Sequence, residues 1–236
     1  MDLQEKTALI TGGSKGIGFT VAVQFARAGM DIGITARTAA DLEQAAEKLQ
    51  SLGDGKILTM PGDVSNERHV DQWIEDTLED FDSIDVLVNN AGIMRRGSVE
   101  DLTLEDYRRV LEINLQGTFL MCNKTVPQMK KQGGGYIFNM ASYAGMKGLL
   151  GSGAYGASKA GVIRFTETLQ REVAEDNIKV TAISPAYVYT DMANDAEVTK
   201  EDMIQPADIA ETMLYIMRLS KAAVVRNVLI ERYGQL

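Results

Sequence analysis

The chain has 236 residues, with 33 Asp and Glu against 24 Lys and Arg, a formal net charge of −9, one His and one Cys. A chain of this length buries roughly 70–75% of the surface its unfolded form exposes, so it needs neither disulfides nor metals to hold together, and with only Cys122 and His69 of their kinds a disulfide framework and a zinc site of three or four N/S ligands are excluded. The negative balance repels polyanions, which argues against nucleic acid and anionic membrane as partners, and acid–base chemistry must come mainly from Tyr, Lys or carboxylates unless His69 serves as a base.

Short apolar runs of β type alternate with segments of helical spacing. Strands are expected at 7–11, 31–36, 56–60, 84–89, 136–140, 179–184 and 224–231, and helices near 16–29, 39–52, 66–80, 103–131, 153–175 and 206–219. No Pro-rich or Ser-rich tract and no long charge block interrupts the series, so one domain over residues 1–236 is expected. The N-terminal MDLQEKTALITGG has neither a basic nor an apolar leader region, and no run reaches about 18 apolar residues, so a cytoplasmic protein is expected. Strands apolar on both faces and joined by helices predict an α/β fold: a doubly wound, parallel, seven-stranded sheet of Rossmann type with helices on both faces. Ligands in such sheets sit beyond the carboxyl ends of the strands. There the chain reads GGSKGIG, ARTA, PGDVS, NAGIM, ASYAG and PAYVYTDM.

The first of these junctions runs from Thr11 to Gly18 between a predicted strand and a predicted helix, the context a dinucleotide turn requires. Its spacing is G-x-x-x-G-x-G. Gly12 permits the sharp turn, Gly16 lets the helix N-terminus approach a pyrophosphate, and Gly18 allows close helix–strand packing. An NAD site usually has an acidic residue at the end of the second strand to bond the ribose 2′-hydroxyl. Here that place reads Thr35-Ala36-Arg37. Arg37, with Lys15 from the glycine turn, suits a 2′-phosphate, so the expected cofactor is NADP (NADPH).

With these residues the chain resembles the short-chain dehydrogenase/reductases, collinearly from Thr7 to about Met192. Within them it is most similar to bacterial 3-oxoacyl-[acyl-carrier-protein] reductase homologues. The resemblance implies that Gly12, Ser14, Lys15, Gly16, Ile17 and Gly18 form the cofactor turn and that Asp63 and Val64 meet the adenine ring. It implies that Asn90, Ala91 and Gly92 follow the fourth strand as a signature, and that Pro185, Val188 and Thr190 stand near the nicotinamide. Asn114, Ser142, Tyr155 and Lys159 match the catalytic tetrad in order, and Tyr155 and Lys159 also hold the cofactor ribose. The family's Pro-Gly after the sixth strand is Pro185-Ala186 here, a change expected to affect the local backbone.

The tetrad makes chemical sense on this chain. Tyr155 and Lys159 are spaced i, i+4 on a predicted helix and share a face. A neighbouring ammonium is expected to lower the phenol from its usual pKa of about 10 toward the working range. Ser142, after the fifth strand, is placed to bond a substrate oxygen. Asn114, by resemblance, holds a water that relays protons to Lys159. A second Tyr-x-x-x-Lys occurs at Tyr143 and Lys147, but its Gly-rich surroundings do not read as helix, so that pair is not expected to share a face.

Met94, Tyr143, Met146 and Tyr187 fall on predicted cleft loops and are expected to line an apolar substrate pocket, with residues 186–205 as the substrate loop. That loop is too short for a large lid, so an open site is expected. Arg95 and Arg96 read as a solvated pair, or as a greeting for an acidic substrate at the cleft mouth. Lys130, Lys131 and Arg171 read as a solvated face, or as a dock for an acidic acyl-carrier protein. Trp73, Phe81 and Cys122 read as packing. The long helices at 103–131 and 153–175 are expected, by resemblance, to pair between subunits of a homodimer or homotetramer. The expected activity is NADPH-dependent reduction of a ketone, with a 3-oxoacyl thioester as leading substrate. The alternatives are an NAD(P)-linked dehydrogenase of a sugar, polyol or hydroxy-amino acid, and a dinucleotide-binding regulatory protein without turnover.

Overall fold

Successive side chains of a strand point to opposite faces, and in this chain both directions are apolar. In the computed structural model, which describes residues 3–193 and 198–233, the strands are β1 (Thr7–Thr11), β2 (Asp31–Ala36), β3 (Ile57–Pro61), β4 (Val86–Asn89), β5 (Gly135–Met140), β6 (Ile178–Pro185) and β7 (Asn227–Ile230). The helices are α1 (Gly16–Arg27), α2 (Ala39–Gln50), α3 (Glu67–Phe81), α4 (Leu104–Leu111), α5 (Gly117–Lys131), α6 (Gly153–Glu172) and α7 (Pro206–Arg218). Ala8 and Ile10 of β1 join Val86 and Val88 of β4 in a core covered by α1, α2 and α7. Leu9 and Leu87, one residue out of phase, enter the opposite core under α3, α5 and α6. Both sheet faces therefore demand helices, and a parallel sheet supplies them through its crossovers.

All seven strands pair in parallel in the order β3-β2-β1-β4-β5-β6-β7. The chain winds outward from β1 to β3 and then returns to lay β4 on the other side of β1. That reversal opens a crevice at the carboxyl ends of β1 and β4, where a doubly wound sheet binds its ligand. Among the described residues no helix is long and apolar enough to cross a membrane.

The expected helix over 103–131 is not continuous. It is α4, then a π-helical turn over Glu112–Gln116, then α5. The apolar spacing hardly changes across the break, which is why periodicity reads one helix. The helix expected to 175 ends at Glu172 and passes into a 3₁₀ turn over Ala174–Asp176. The last strand is shorter than the expected 224–231, pairing only over Asn227–Ile230.

Candidate active site

Gly12 and Gly16 both adopt left-handed backbone, with φ of 64° and 59°, a region that disfavours a Cβ. Gly18 serves differently: it lies behind the turn, and a Cβ there would stand 2.3 Å from the Gly12 carbonyl oxygen and 2.4 Å from Asn90 Nδ2. The turn is held from β4. Asn90 Nδ2 donates to the carbonyls of Thr11 and Gly12, and Thr11 Oγ1 accepts from the backbone N–H of Asn90 and Ala91, all at 3.0 Å. Gly18→Ala is expected to destabilise the protein by about 1–3 kcal/mol, because backbone rather than a flexible side chain must yield. A urea melt superimposable on the wild type would show that the turn gives way freely.

Beyond the turn lies a cleft of about 420 Å³. Gly12, Ser14, Lys15, Gly16 and Ile17 form one wall, and Arg37 stands at the end of β2. α1 opens on Lys15 with no side-chain cap and no acid in its first turn, which leaves its first N–H groups free for an anion. Positive-φ glycines, uncapped helix N-terminus and a long cleft fit the diphosphate of a dinucleotide. Lys15 Nζ lies 3.8 Å from Asp191 across the mouth, both side chains well exposed; such a pair is weak and Lys15 exchanges partners readily.

Asp63 and Val64 line the cleft with Asn90, Ala91 and Gly92. Arg109 of α4 bonds the Asp63 carboxylate and, at 2.9 Å, Ser65 Oγ. Burial pushes Asp63 upward, but hydrogen bonds from Ser65 and Arg109 together hold it below the usual carboxylate value. His69 accepts from the Asp63 N–H at 2.9 Å and stacks on Trp73, itself a cleft residue. Arg109 and Thr11 thus shape the site in ways that sequence reasoning misses, since each acts through a partner far along the chain, whereas His69, the one histidine, takes a local structural role beside Asp63.

Asn114 sits in the π-helical turn, a device that often marks functional sites. Its Oδ1 accepts from the Ile93 N–H at 2.8 Å, and its Nδ2 donates to the Ile93 carbonyl at 2.9 Å and to Ser158 Oγ at 3.0 Å. A side chain built on Gly92 would meet both Asn114 Oδ1 and Lys159 Nζ, so the two converge beside that loop. Buried amides tie the strands to α6: Asn89 Nδ2 donates to Asn139 Oδ1 at 2.8 Å, and Asn139 Nδ2 to Thr166 Oγ1 at 2.9 Å.

Ser142, Tyr155 and Lys159 line the same cleft. Ser142 caps a 3₁₀ turn over Tyr143–Gly145, accepting from the Ala144 N–H at 3.2 Å. Lys159 is 5% exposed; its Nζ donates to the Met140 carbonyl at 2.6 Å and lies 5.8 Å from the Tyr155 ring centre. The expected lowering of the phenol is corrected. Burial pushes Tyr155 above its ordinary value, and the side-chain hydrogen bond with Ser142 only opposes this. Burial pushes Lys159 down to about 8. Desolvation is the dominant cause for both groups in this pocket.

Two further expectations are corrected. Lys147 Nζ also lies 5.8 Å from the Tyr143 ring centre, so this pair does meet; the 3₁₀ turn brings together what a helix was thought necessary to align. Burial separates the copies, because Lys147 is exposed. Met146 does not line the cleft; it is 51% exposed, with its sulfur 3.8 Å from Asn227 Nδ2. Met94, Tyr143 and Tyr187 do line it, as do Pro185, Val188 and Thr190. Ala186 is not among the described residues with positive φ, so alanine replaces glycine without strain. The 186–205 loop is closed at its base by Val188 bridging Ile204; residues 194–197 lie outside the described residues.

Arg95 and Arg96 part company: Arg95 pairs with Asp106 at 3.2 Å, while Arg96 lines the cleft. Lys130 is paired with Asp176 at 2.7 Å. Among the described residues no group of three or more His, Cys, Asp or Glu gathers to hold a metal.

Known proteins are similar to this chain in sequence and fold. A profile described as short chain dehydrogenase matches residues 6–201. The chain is 36% identical over 233 residues to a 3-oxoacyl-[acyl-carrier-protein] reductase of Synechocystis, covering 94% of this chain and 93% of that protein. L-sorbose reductase from Gluconobacter frateurii, solved with NADPH and L-sorbose, superposes with a TM-score of 0.90 at 27% identity over 100% of both chains. An alcohol dehydrogenase from Thermococcus sibiricus, complexed with 5-hydroxy-NADP, gives a TM-score of 0.89 at 26% identity over 98% of both. Glycine turn, doubly wound sheet and profile agree that this chain belongs to the short chain dehydrogenases, oxidoreductases that bind a nicotinamide dinucleotide and act on alcohol and ketone groups.

Proposed function

We propose that the protein is an NADPH-dependent carbonyl reductase whose leading substrate is a 3-oxoacyl thioester. The observation that supports this best is the convergence of Ser142, Tyr155 and a buried Lys159 on one cleft with the glycine turn. When bound, the cofactor supplies the hydride that reduces the carbonyl carbon. Tyr155 gives its proton to the carbonyl oxygen as negative charge builds there. Ser142 donates a hydrogen bond to the same oxygen and steadies it. Lys159 holds the cofactor ribose with Tyr155 and returns a proton to the phenol, itself resupplied through a water held by Asn114 at the π-helical turn. Asp63 and Val64 meet the adenine ring, with Arg109 holding the Asp63 carboxylate. The whole chain acts as one dinucleotide-binding domain, with the loop at about 186–205 serving the substrate.

Preference for the phosphorylated cofactor rests on Arg37 at the end of β2, with Lys15 opposite. Arg37→Ala is expected to weaken NADPH about 10- to 100-fold, as loss of a charge-assisted hydrogen bond does, and to leave NADH unchanged. Equal weakening of both cofactors would remove Arg37 as the phosphate reader. The reading itself is tested by the fall in NADPH absorbance, with NADH in parallel, when the purified protein meets a short 3-oxoacyl thioester. Oxidation of NADPH is expected; no oxidation with the thioester but rapid oxidation with ketoses would favour a sugar or polyol enzyme, the reading suggested by the likeness to L-sorbose reductase.

Assembly as a homodimer or homotetramer is proposed through α5 and α6. Phe119 on α5 is 47% exposed and meets Phe165 of α6 edge-on at 6.0 Å between ring centres.

A further inference from the structure

Two adjacent arginines follow β4, and the fold sends them to different tasks. Arg95 is neutralised by Asp106 at 3.2 Å. Arg96 is exposed on the wall of the cleft, and among the described residues it has neither an ion pair nor a hydrogen-bond partner. In a chain of net charge −9, it shares this unpaired state on the cleft with Arg37, the other arginine in the lining.

Its place along the cleft is fixed by its neighbour. The Gly97 N–H donates to the Gly151 carbonyl at 3.0 Å, and Gly97 bridges Ser152. Ser152 is the residue before α6, whose first turn contains Tyr155. Arg96 is therefore anchored beside the entry of the helix that presents the phenol, at the opposite end from Arg37. The carboxylates that line the cleft leave it free. Asp63 is bonded to Arg109, Asp191 faces Lys15, and Asp41 belongs to α2, next to Arg37's end. Two apolar residues stand on the rim just before the Gly151 anchor, Leu149 and a fully exposed Leu150.

We infer that Arg96 reads an anionic group on the substrate, so that the preferred substrate is a ketone bearing a carboxylate or phosphate on an apolar body. This rests on the reading that Ser142 and Tyr155 hold the carbonyl. The planar guanidinium donates two parallel hydrogen bonds to either kind of anion. Leu149 and Leu150 accommodate the intervening chain.

The test compares matched ketones on the cofactor-loaded protein. One pair is a 3-keto acid and its methyl ester; the other is a 3-oxoacyl coenzyme A thioester and the corresponding neutral pantetheine thioester, which keeps the same arm up to the first phosphate. The wild type is expected to favour the anionic member of at least one pair, and which pair it is distinguishes carboxylate from phosphate. Arg96→Gln should lose about 10- to 100-fold in kcat/KM for that anionic member only, with the gap narrowing as salt is raised. Arg95→Gln should change neither member. Equal losses on charged and neutral members, or no wild-type preference in either pair, would overturn the inference while leaving the reductase reading intact. If no ketone is turned over, the reductase reading falls instead. Calorimetric binding of the keto acid and the coenzyme A thioester then decides the role of Arg96: it stands if the wild type binds one of them and Arg96→Gln does not, and is overturned if the two proteins bind alike or the wild type binds neither.

Discussion

Tyr155→Phe is expected to lower carbonyl reduction by about 100- to 10,000-fold, the range a positioned general acid contributes, while cofactor affinity falls by no more than about 10-fold, the loss of one hydrogen bond to the ribose. Phenylalanine keeps the ring that packs at the start of α6 and removes only the hydroxyl that bonds Ser142. The cradle of Gly12, Gly16 and Asn90 lies on other elements and is untouched. Burial raises the phenol above its ordinary value, so in the protein without cofactor Tyr155 holds its proton at neutral pH. An acid in that state suits reduction, which is expected to keep its rate through neutral pH. The reverse oxidation needs the phenolate and should climb as pH rises. Stopped-flow absorbance of NADPH in both directions, beside fluorescence titration of the cofactor, checks these outcomes. Normal reduction by the variant would remove Tyr155 from the chemistry.

Much of this arrangement could be read in the chain before any coordinates, and the reason is locality. Each strand announces itself through its own apolar run, and the glycine turn through spacing inside eight residues, Thr11 to Gly18. All seven strands and the parallel winding follow from such signals. What escapes is what depends on partners distant in sequence. Arg109 reaches Asp63 from α4, and Thr11 Oγ1 accepts from Asn90 and Ala91 just after β4; nothing adjacent to these residues advertises the contact. The π-helical turn at Asn114 inserts a wider turn without altering the run of apolar residues. Tyr143 and Lys147 repeat the spacing and even the separation of Tyr155 and Lys159. Only burial, a property of the whole fold, tells the pairs apart. The expected direction of the Tyr155 shift failed for the same reason, since desolvation is set by surroundings that pair spacing does not reveal.

Lys159→Met is expected to abolish turnover and yet to make the cofactor-free protein more stable at neutral pH. The ammonium's pKa falls from 10.5 to about 8 through burial, and at about 1.36 kcal/mol per pKa unit this corresponds to roughly 3 kcal/mol of destabilisation. The sign follows from proton counting. Between about pH 8 and 10.5 the unfolded chain holds this proton and the folded chain does not, so stability rises with pH across that window. Below about pH 8 the penalty of a buried charge is present in full. Methionine has similar length and no charge, which removes that penalty at every pH. It also leaves the Met140 carbonyl without its 2.6 Å donor, a loss of about 1–3 kcal/mol. The net gain near pH 7 is therefore at most about 2 kcal/mol, shrinking and then reversing as pH approaches 10. Urea unfolding of both proteins at pH 6.5 and 9.5 measures the change. A variant less stable than the wild type at the lower pH would show that the ammonium is compensated by its surroundings and carries no buried-charge penalty. A gain that fades with pH would identify Lys159 as a charge the fold tolerates for the sake of its chemistry, since its hydrogen bond to the Met140 carbonyl does not account for keeping it buried.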